Sequence, residues 1–247
     1  MIISIVTVTY NAEKVIEKTL KSVLEQTNLN VEYIIKDGNS TDATNKIIDF
    51  YKPLFDEKKI YIKHIIESDK GIYNAMNSAT QECSGAWVIF LNAGDVFFDK
   101  NTVQTFFNYI FYNNAGDVFY GDSISTYNKK SVRRIHDSQY LDKKMSLCHQ
   151  GCCIKSKIIK EKLYNEQYKI GADYDFFLGL FLEQYKFVKI PMVVCEYDKN
   201  GISSTKLVDS YKEFIEIKRT HGIRVPNIFF VRLKIITKYI RELFHIF

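Results

Sequence analysis

The chain has 247 residues, 46% hydrophobic and 26% charged, with 11 Gly and 3 Pro. That length and apolar share suit a domain with a sizeable core, and they exclude disordered, collagen-like and linker-dominated chains. A balance of 34 basic against 29 acidic residues leaves +5, enough to favour phosphorylated or anionic-lipid partners but not the basic footprint of a nucleic-acid binder.

The five cysteines (Cys83, Cys148, Cys152, Cys153 and Cys195) lack framework spacing and read as free thiols in a reducing compartment. His149 among them lacks the two ligand pairs of a zinc site. The start MIISIVTVTYN has no basic n-region, and no apolar run approaches membrane-spanning length. A cytoplasmic protein is expected.

Ile2 to Val8 is β-branched and nearly continuous, as in a strand buried on both faces. Asn11 is placed to cap a helix carrying Val15, Ile16, Leu20, Val23 and Leu24 at helical spacing. Val31 to Ile35 predicts a second strand, stopped by the turn-forming Asp37-Gly-Asn-Ser-Thr-Asp42. A second helix follows, with Ile47, Ile48 and Tyr51 on one face. Ile60 to Ile66 predicts a third strand, Ile72 to Cys83 a third helix, and Ala86 to Leu91 a fourth strand closed by Asn92-Ala-Gly-Asp95. This alternation implies right-handed crossovers and a mostly parallel sheet covered by helices.

The second half is less regular. Asp117 to Ser123 is a candidate strand and Ser125 to Asp142 reads as loop. Asp173 to Tyr185 is helical by pattern, Phe187 to Cys195 a strand, and Leu207 to His221 a helix. Residues 226–247 are strongly apolar but interrupted by Arg232, Lys234, Lys238 and Arg241. They fit either a helix packed on the domain or an amphipathic basic helix on an anionic membrane surface, and the breadth of the apolar face favours the membrane.

Parallel sheets bind ligands outside the carboxyl ends of their strands. The polar clusters Thr9-Tyr10-Asn11, Asp37 to Asp42, Glu67 to Gly71 and Asn92 to Asp95 fall at those ends. No G-x-G-x-x-G, P-loop, H-E-x-x-H or G-x-S-x-G occurs, which argues against dinucleotide, P-loop, zinc-protease and serine-hydrolase chemistry. What remains is carboxylate, amide, hydroxyl and aromatic. Tyr10 could stack on a base, Asp37 accept a base N–H, and Asp95 hold a divalent cation that takes its other ligands from phosphates and water. Such a pocket suits a nucleotide diphosphate.

The segments ISIVTVTYN, IIKDGNSTDAT, ESDKGIYNAMNSA, GAWVIFLNAGD, HQGCCIKS and IGADYDFFLGLF resemble, in order, those of the family 2 glycosyltransferases, inverting enzymes of the GT-A fold. The resemblance spans roughly residues 2–205. It implies an α/β, Rossmann-like GT-A domain over 1–225, with a nucleotide-sugar half (1–123), an acceptor half (124–225) and the terminal helix 226–247. It places Thr9, Tyr10, Asn11, Asp37, Asp69, Lys70, Gly71, Asn92, Ala93 and Gly94 around the donor, Asp95 on the metal, His149 and Gln150 on the acceptor or diphosphate side, and Asp173 as general base. Lys36-Asp37 stands where an Asp-Asp pair is common, Asn74 where many relatives have Asp, and only Asp95 keeps a carboxylate of the D-x-D motif. Either Mg²⁺ or Mn²⁺ would then arrive with the nucleotide-sugar, or Asn92 and a later residue such as His149 would complete the shell.

The implied reaction moves a sugar, with uridine the favoured base, to a hydroxyl of a glycan or lipid-linked saccharide. The only tryptophan, Trp87, lies in GAWVIF, so the Gln-x-x-Arg-Trp signature of processive synthases is missing. Two other readings compete. Lys36, Asn92 and Gly94 motivate a catalytically degenerate sugar-nucleotide binder. A nucleotidyltransferase would need a basic, Gly-rich first loop, where TVTYN stands.

Overall fold

The computed structural model describes residues 1–113, 115–127, 130–198 and 207–225. β1 (Ile3–Thr9) is buried at every position, as a β-branched run without polar alternation requires. It lies between β2 (Val31–Asp37) and β4 (Trp87–Phe90), and β3 (Tyr61–Ile66) flanks β2; all three pairings are parallel. Successive side chains of a strand point to opposite faces. Ile3 and Ile5 accordingly pack with the apolar stripes of α1 (Ile16–Leu24) and α2 (Thr44–Glu57), while Val6 and Val8 pack with α3 (Ile72–Gln81).

The second half extends the same sheet with mixed directions. Its elements are β5 (Val96–Phe97), α4 (Thr102–Tyr112), β6 (Val118–Tyr127), β7 (Lys130–Arg134), β8 (Cys152–Lys155), α5 (Ser156–Lys162), α6 (Ala172–Leu182), β9 (Phe187–Asp198) and α7 (Leu207–Thr220). The order is β3-β2-β1-β4-β8-β6-β9-β5, with β7 on β6. The expected parallel character holds for β1 to β4. Beyond them β8 runs antiparallel to β4 and β6, and β5 antiparallel to β9, while β6 and β9 are parallel. Because β8 is antiparallel to β4, it starts beside the carboxyl end of β4, which brings residues 148–151 to that edge.

Several expectations are corrected. Residues 130–134, expected in a loop, form β7 on the sheet edge. Its KSVRR sequence lacks an apolar face, and its register is set by ladder pairing and by Arg133, whose Nε and Nη2 donate to Asp122 Oδ2 at 3.0 and 2.7 Å. Asn11 is not a helix cap. α1 begins at Ile16, and Asn11 sits at φ 47° with its Oδ1 accepting from Thr41 N at 2.9 Å. The elements α4, β5, β8 and α5 have no counterpart in the sequence-based expectations. The stretch 226–247 lies outside the described residues. Among those described, the five cysteines are free and no helix is long and apolar enough to cross a membrane.

Candidate active site

The loops after β1, β2, β3 and β4 meet at the carboxyl edge of the sheet. Gly38 N donates to Thr9 O at 2.8 Å, and Glu67 N to Asp37 O at 3.0 Å, which ties the first three loops together. Tyr10 is 64% exposed, so its ring is no part of the core. A Cβ on Gly38 would lie 2.8 Å from Asp69 Oδ2 and 3.3 Å from Tyr10 Cδ2. The bare glycine lets these three residues touch. Asp69 in turn accepts from Gly71 N at 2.9 Å, and Gly71 adopts φ 129°, where a side chain would be strained. Lys70 has its backbone N–H on Asn74 Oδ1 at 3.0 Å.

Asp37 is fully buried. Its Oδ1 accepts from Ser40 N at 2.6 Å and Asn45 Nδ2 at 3.3 Å, and its Oδ2 from Ser40 Oγ at 2.6 Å. With about two acceptor directions per carboxylate oxygen, Oδ2 has one unused, and in this structure the Ser40 turn covers it. Lys36, one residue earlier, is also buried, and its Nζ donates to the Asp37 and Glu67 carbonyls. The lysine in the expected Asp-Asp position thus fastens the ends of β2 and β3.

At the end of β4 the backbone turns tightly. Asp95 N donates to Asn92 O at 2.9 Å, Ala93 N to Val8 O at 3.1 Å, and Gly94 takes φ 97°. Thr19 of α1 holds the turn, accepting from Gly94 N at 2.9 Å and donating to Asp95 O at 2.8 Å. The Asp95 side chain is buried and accepts from Gln150 Nε2 at 2.9 Å. Burial pushes its carboxyl up to about 6. No Lys, Arg or His nitrogen among the described residues lies within 4.0 Å of it.

His149 joins this turn to α6 in the second half of the chain. Its Nε2 lies 3.1 Å from Asn92 Nδ2 and its Nδ1 3.4 Å from Asp173 Oδ2. Burial disfavours a charged imidazole, but the hydrogen bond and charge of Asp173, together with the nearby Cys148 and Asp95, raise the His149 pKa. Asp173, in the first turn of α6, also accepts from Tyr174 N at 2.8 Å. The Tyr73 hydroxyl lies 3.3 Å from Asp173 Oδ1 and donates to Ile170 O at 2.7 Å. Asn92, Asp95, His149, Gln150 and Asp173 therefore form one connected group.

Two buried atoms at this edge, Asn92 Oδ1 and Thr9 Oγ1, have no hydrogen-bond partner. An orphaned amide oxygen in the same turn as a buried carboxylate without a cationic partner fits part of the oxygen shell of a divalent cation. No group of three or more His, Cys, Asp or Glu side chains among the described residues could complete it, so bound phosphates and water would have to.

Sequence reasoning missed Glu213. Its carboxylate, on α7, accepts from Lys169 N at 2.9 Å, Ile170 N at 2.9 Å and Gly171 N at 2.8 Å. It thereby fixes the segment that enters α6 two residues before Asp173. An acid in a mixed-charge helix some forty residues away carries no signature of that task.

Comparison with known proteins places these residues in context. The model of the family described as "Glycosyl transferase family 2" matches residues 4–183. A PGL/p-HBAD biosynthesis glycosyltransferase of Mycobacterium bovis (strain BCG / Pasteur 1173P2) is 29% identical over 215 residues, covering 86% of this chain and 82% of that protein. S. aureus TarS 1-349 in complex with UDP-GlcNAc superposes with TM-score 0.68 at 18% identity over 83% of this chain, which spans 61% of that one. Mannosyltransferase PcManGT from Pyrobaculum calidifontis, in complex with GDP-Man and Mn²⁺, gives TM-score 0.65 at 15% identity over 87% of this chain and 64% of that one. The fold is the GT-A fold expected from the sequence.

The buried Asp95 carboxyl has a measurable cost. Its folded pKa of about 6 lies above the ordinary 3.8, so ionisation destabilises the ligand-free fold. The penalty is complete above pH 6, shrinks as pH falls through 6, and vanishes below the ordinary value. In chelator-treated protein, Asp95→Asn should raise stability at pH 7.5 by up to about 3 kcal/mol, with the gain fading towards pH 4. Urea unfolding at several pH values checks this; a variant less stable at pH 7.5 would contradict it.

Proposed function

The chain belongs to glycosyl transferase family 2, and from that membership we propose an inverting transfer of a sugar from a nucleotide diphosphate to a hydroxyl of a glycan or lipid-linked saccharide. The chain is a glycosyltransferase; the donor, the stereochemistry and the roles below are our reading. The observation that supports it is the His149 bridge, which links the Asn92–Asp95 turn to the Asp173 carboxylate at one edge of the sheet.

In this reading the nucleoside lies against exposed Tyr10, with Thr9 and Asn11 lining the same loop. The unused acceptor direction of Asp37 Oδ2 takes a base N–H where the Ser40 turn gives way. The segment Asp69-Lys70-Gly71 closes over the donor, and Asn92-Ala93-Gly94 borders its diphosphate. TarS binds UDP-GlcNAc and PcManGT binds GDP-Man with Mn²⁺; the first favours uridine here and the second a divalent cation. Mg²⁺ or Mn²⁺ held by Asp95 and Asn92 Oδ1 would supply positive charge to the departing diphosphate.

The chain's own residues do the rest. Asp173 accepts the proton of the acceptor hydroxyl as that oxygen attacks the anomeric carbon from the face opposite the diphosphate. One displacement inverts the centre and needs no protein nucleophile. His149 Nδ1 and the Tyr174 backbone N–H meet the two Asp173 oxygens, one on each, which orients the carboxylate. Gln150 holds Asp95 in the same way. The apolar and basic sequence of 226–247 supports contact with an anionic membrane, on the cytoplasmic face, where a lipid-linked acceptor would be met.

Each part of this reading has its own measurement. Asp173→Asn should lower transfer by at least about 100-fold while UDP affinity stays within a few fold, measured by turnover and calorimetry; wild-type turnover would remove Asp173 from the reaction. In a thermal-shift panel of nucleotide-sugars, one uridine donor should raise Tm, more so with Mn²⁺; a shift restricted to guanosine donors would overturn the base assignment. Removing residues 226–247 should reduce co-sedimentation with phosphatidylglycerol vesicles, and unchanged partition would end the membrane reading.

A further inference from the structure

The segment Asp69-Lys70-Gly71 owes its shape to few contacts. Gly71 at φ 129° has open space where a side chain would sit. Asp69 Oδ1 fixes Gly71 N, and Asn74 Oδ1 fixes Lys70 N. The second bond depends on which way the Asn74 amide points. Its Nδ2 donates to Glu166 Oε2 at 3.0 Å, and Asn77 Nδ2 donates to Glu166 Oε1 at 3.0 Å. Asn74 and Asn77 are three apart on α3 and share a face.

Glu166 lies in the connection between α5 and α6, in the other half of the chain. That connection is stitched to the same helix: Tyr164 N donates to Asn77 Oδ1 at 2.8 Å, and Asn77 Nδ2 to Tyr164 O at 2.9 Å. The nearby Lys169 Nζ donates to the Glu166 carbonyl at 2.9 Å. Among the described residues no cation lies within 4.0 Å of the carboxylate; two amide N–H groups meet it instead. A side chain facing two donors must accept at both tips, which a carboxylate does and an amide does not. With Glu166 accepting, Asn74 turns Nδ2 towards it and is left with Oδ1 for the Lys70 N–H.

We propose that Glu166 is a positioning residue for the donor loop, acting through the Asn74 amide to hold Asp69-Lys70-Gly71 in its nucleotide-binding shape. The acceptor half thereby sets the donor affinity of the first half. This inference rests on the reading that the loop contacts the nucleotide.

The test measures UDP affinity, with Mn²⁺ present, by calorimetry on the full chain. The proteins are wild type, Glu166→Gln, Asn74→Asp, the double variant and Asp69→Ala. Glu166→Gln should weaken UDP by about 10-fold, since its amide faces the donor of Asn74 or Asn77. Asn74→Asp should weaken it at least as much, by setting two carboxylates against each other. In the double variant the new carboxylate at position 74 again accepts from Lys70 N. It also takes a hydrogen bond from the new amide at position 166, whose carbonyl oxygen serves Asn77. Affinity should return to within about 3-fold of wild type. Losses that add in the double variant would overturn the proposal, as would single variants that lose Tm but keep UDP affinity. If Asp69→Ala binds UDP as wild type does, the loop does not meet the nucleotide and the underlying reading fails with it.

Discussion

The contact between His149 and Asp173 joins the β4 turn in the first half of the chain to the first turn of α6 in the second, and the connected group of polar side chains at this edge depends on it. An imidazole between a carboxylate and an amide can satisfy both only where the two are held on rigid supports at one edge. β4 supplies Asn92 and Asp95, the chain ahead of antiparallel β8 supplies His149 and Gln150, and α6 supplies Asp173. Each of these groups is braced from elsewhere in the chain. Thr19 holds the β4 turn, the Tyr174 N–H the Asp173 carboxylate and Glu213 the start of α6. Precision of this kind comes from many ordinary hydrogen bonds, each worth about 1 kcal/mol net, and each costlier to lose in a buried setting.

Left-handed backbone recurs in the loops at the same edge. Asn11, Asn39, Gly71 and Gly94 all take positive φ, and each belongs to a different one of the four loops after β1 to β4. A chain that must leave a parallel strand, expose polar side chains to a ligand and enter a covering helix has little room for regular turns. Gly and Asn adopt that conformation at least cost. The motif departures make physical sense here too. Lys36 serves two backbone carbonyls, so its place beside Asp37 says nothing against a working site.

The first half was legible because its physics is local. Ile3 to Thr9 is a parallel strand buried on both faces, and such strands read as continuous apolar runs; the stripes of α1 and α2 follow the 3.6-residue period. The strand-end rule then located Tyr10, Asp37, Asp69 and Asp95 at one edge. β7 was not legible because an exposed edge strand needs no apolar face. β5 is two residues long and exists through its pairing with β9. β8 is a short run whose antiparallel insertion depends on β4 and β6 being present already. Glu166 and Glu213 work through partners up to 92 and 44 positions away, and nothing in their own neighbourhoods marks them. Asn11 misled because a residue suited to capping is equally suited to a left-handed turn.

A crystal structure of the chain soaked with UDP and Mn²⁺ tests the central claim most directly. The account expects the base against Tyr10 with its imide at Asp37, the diphosphate and cation at Asp95, and open space between the diphosphate and Asp173 for an acceptor hydroxyl. Density for the nucleotide on any other face, with Asp95 and Asp173 untouched, would contradict it.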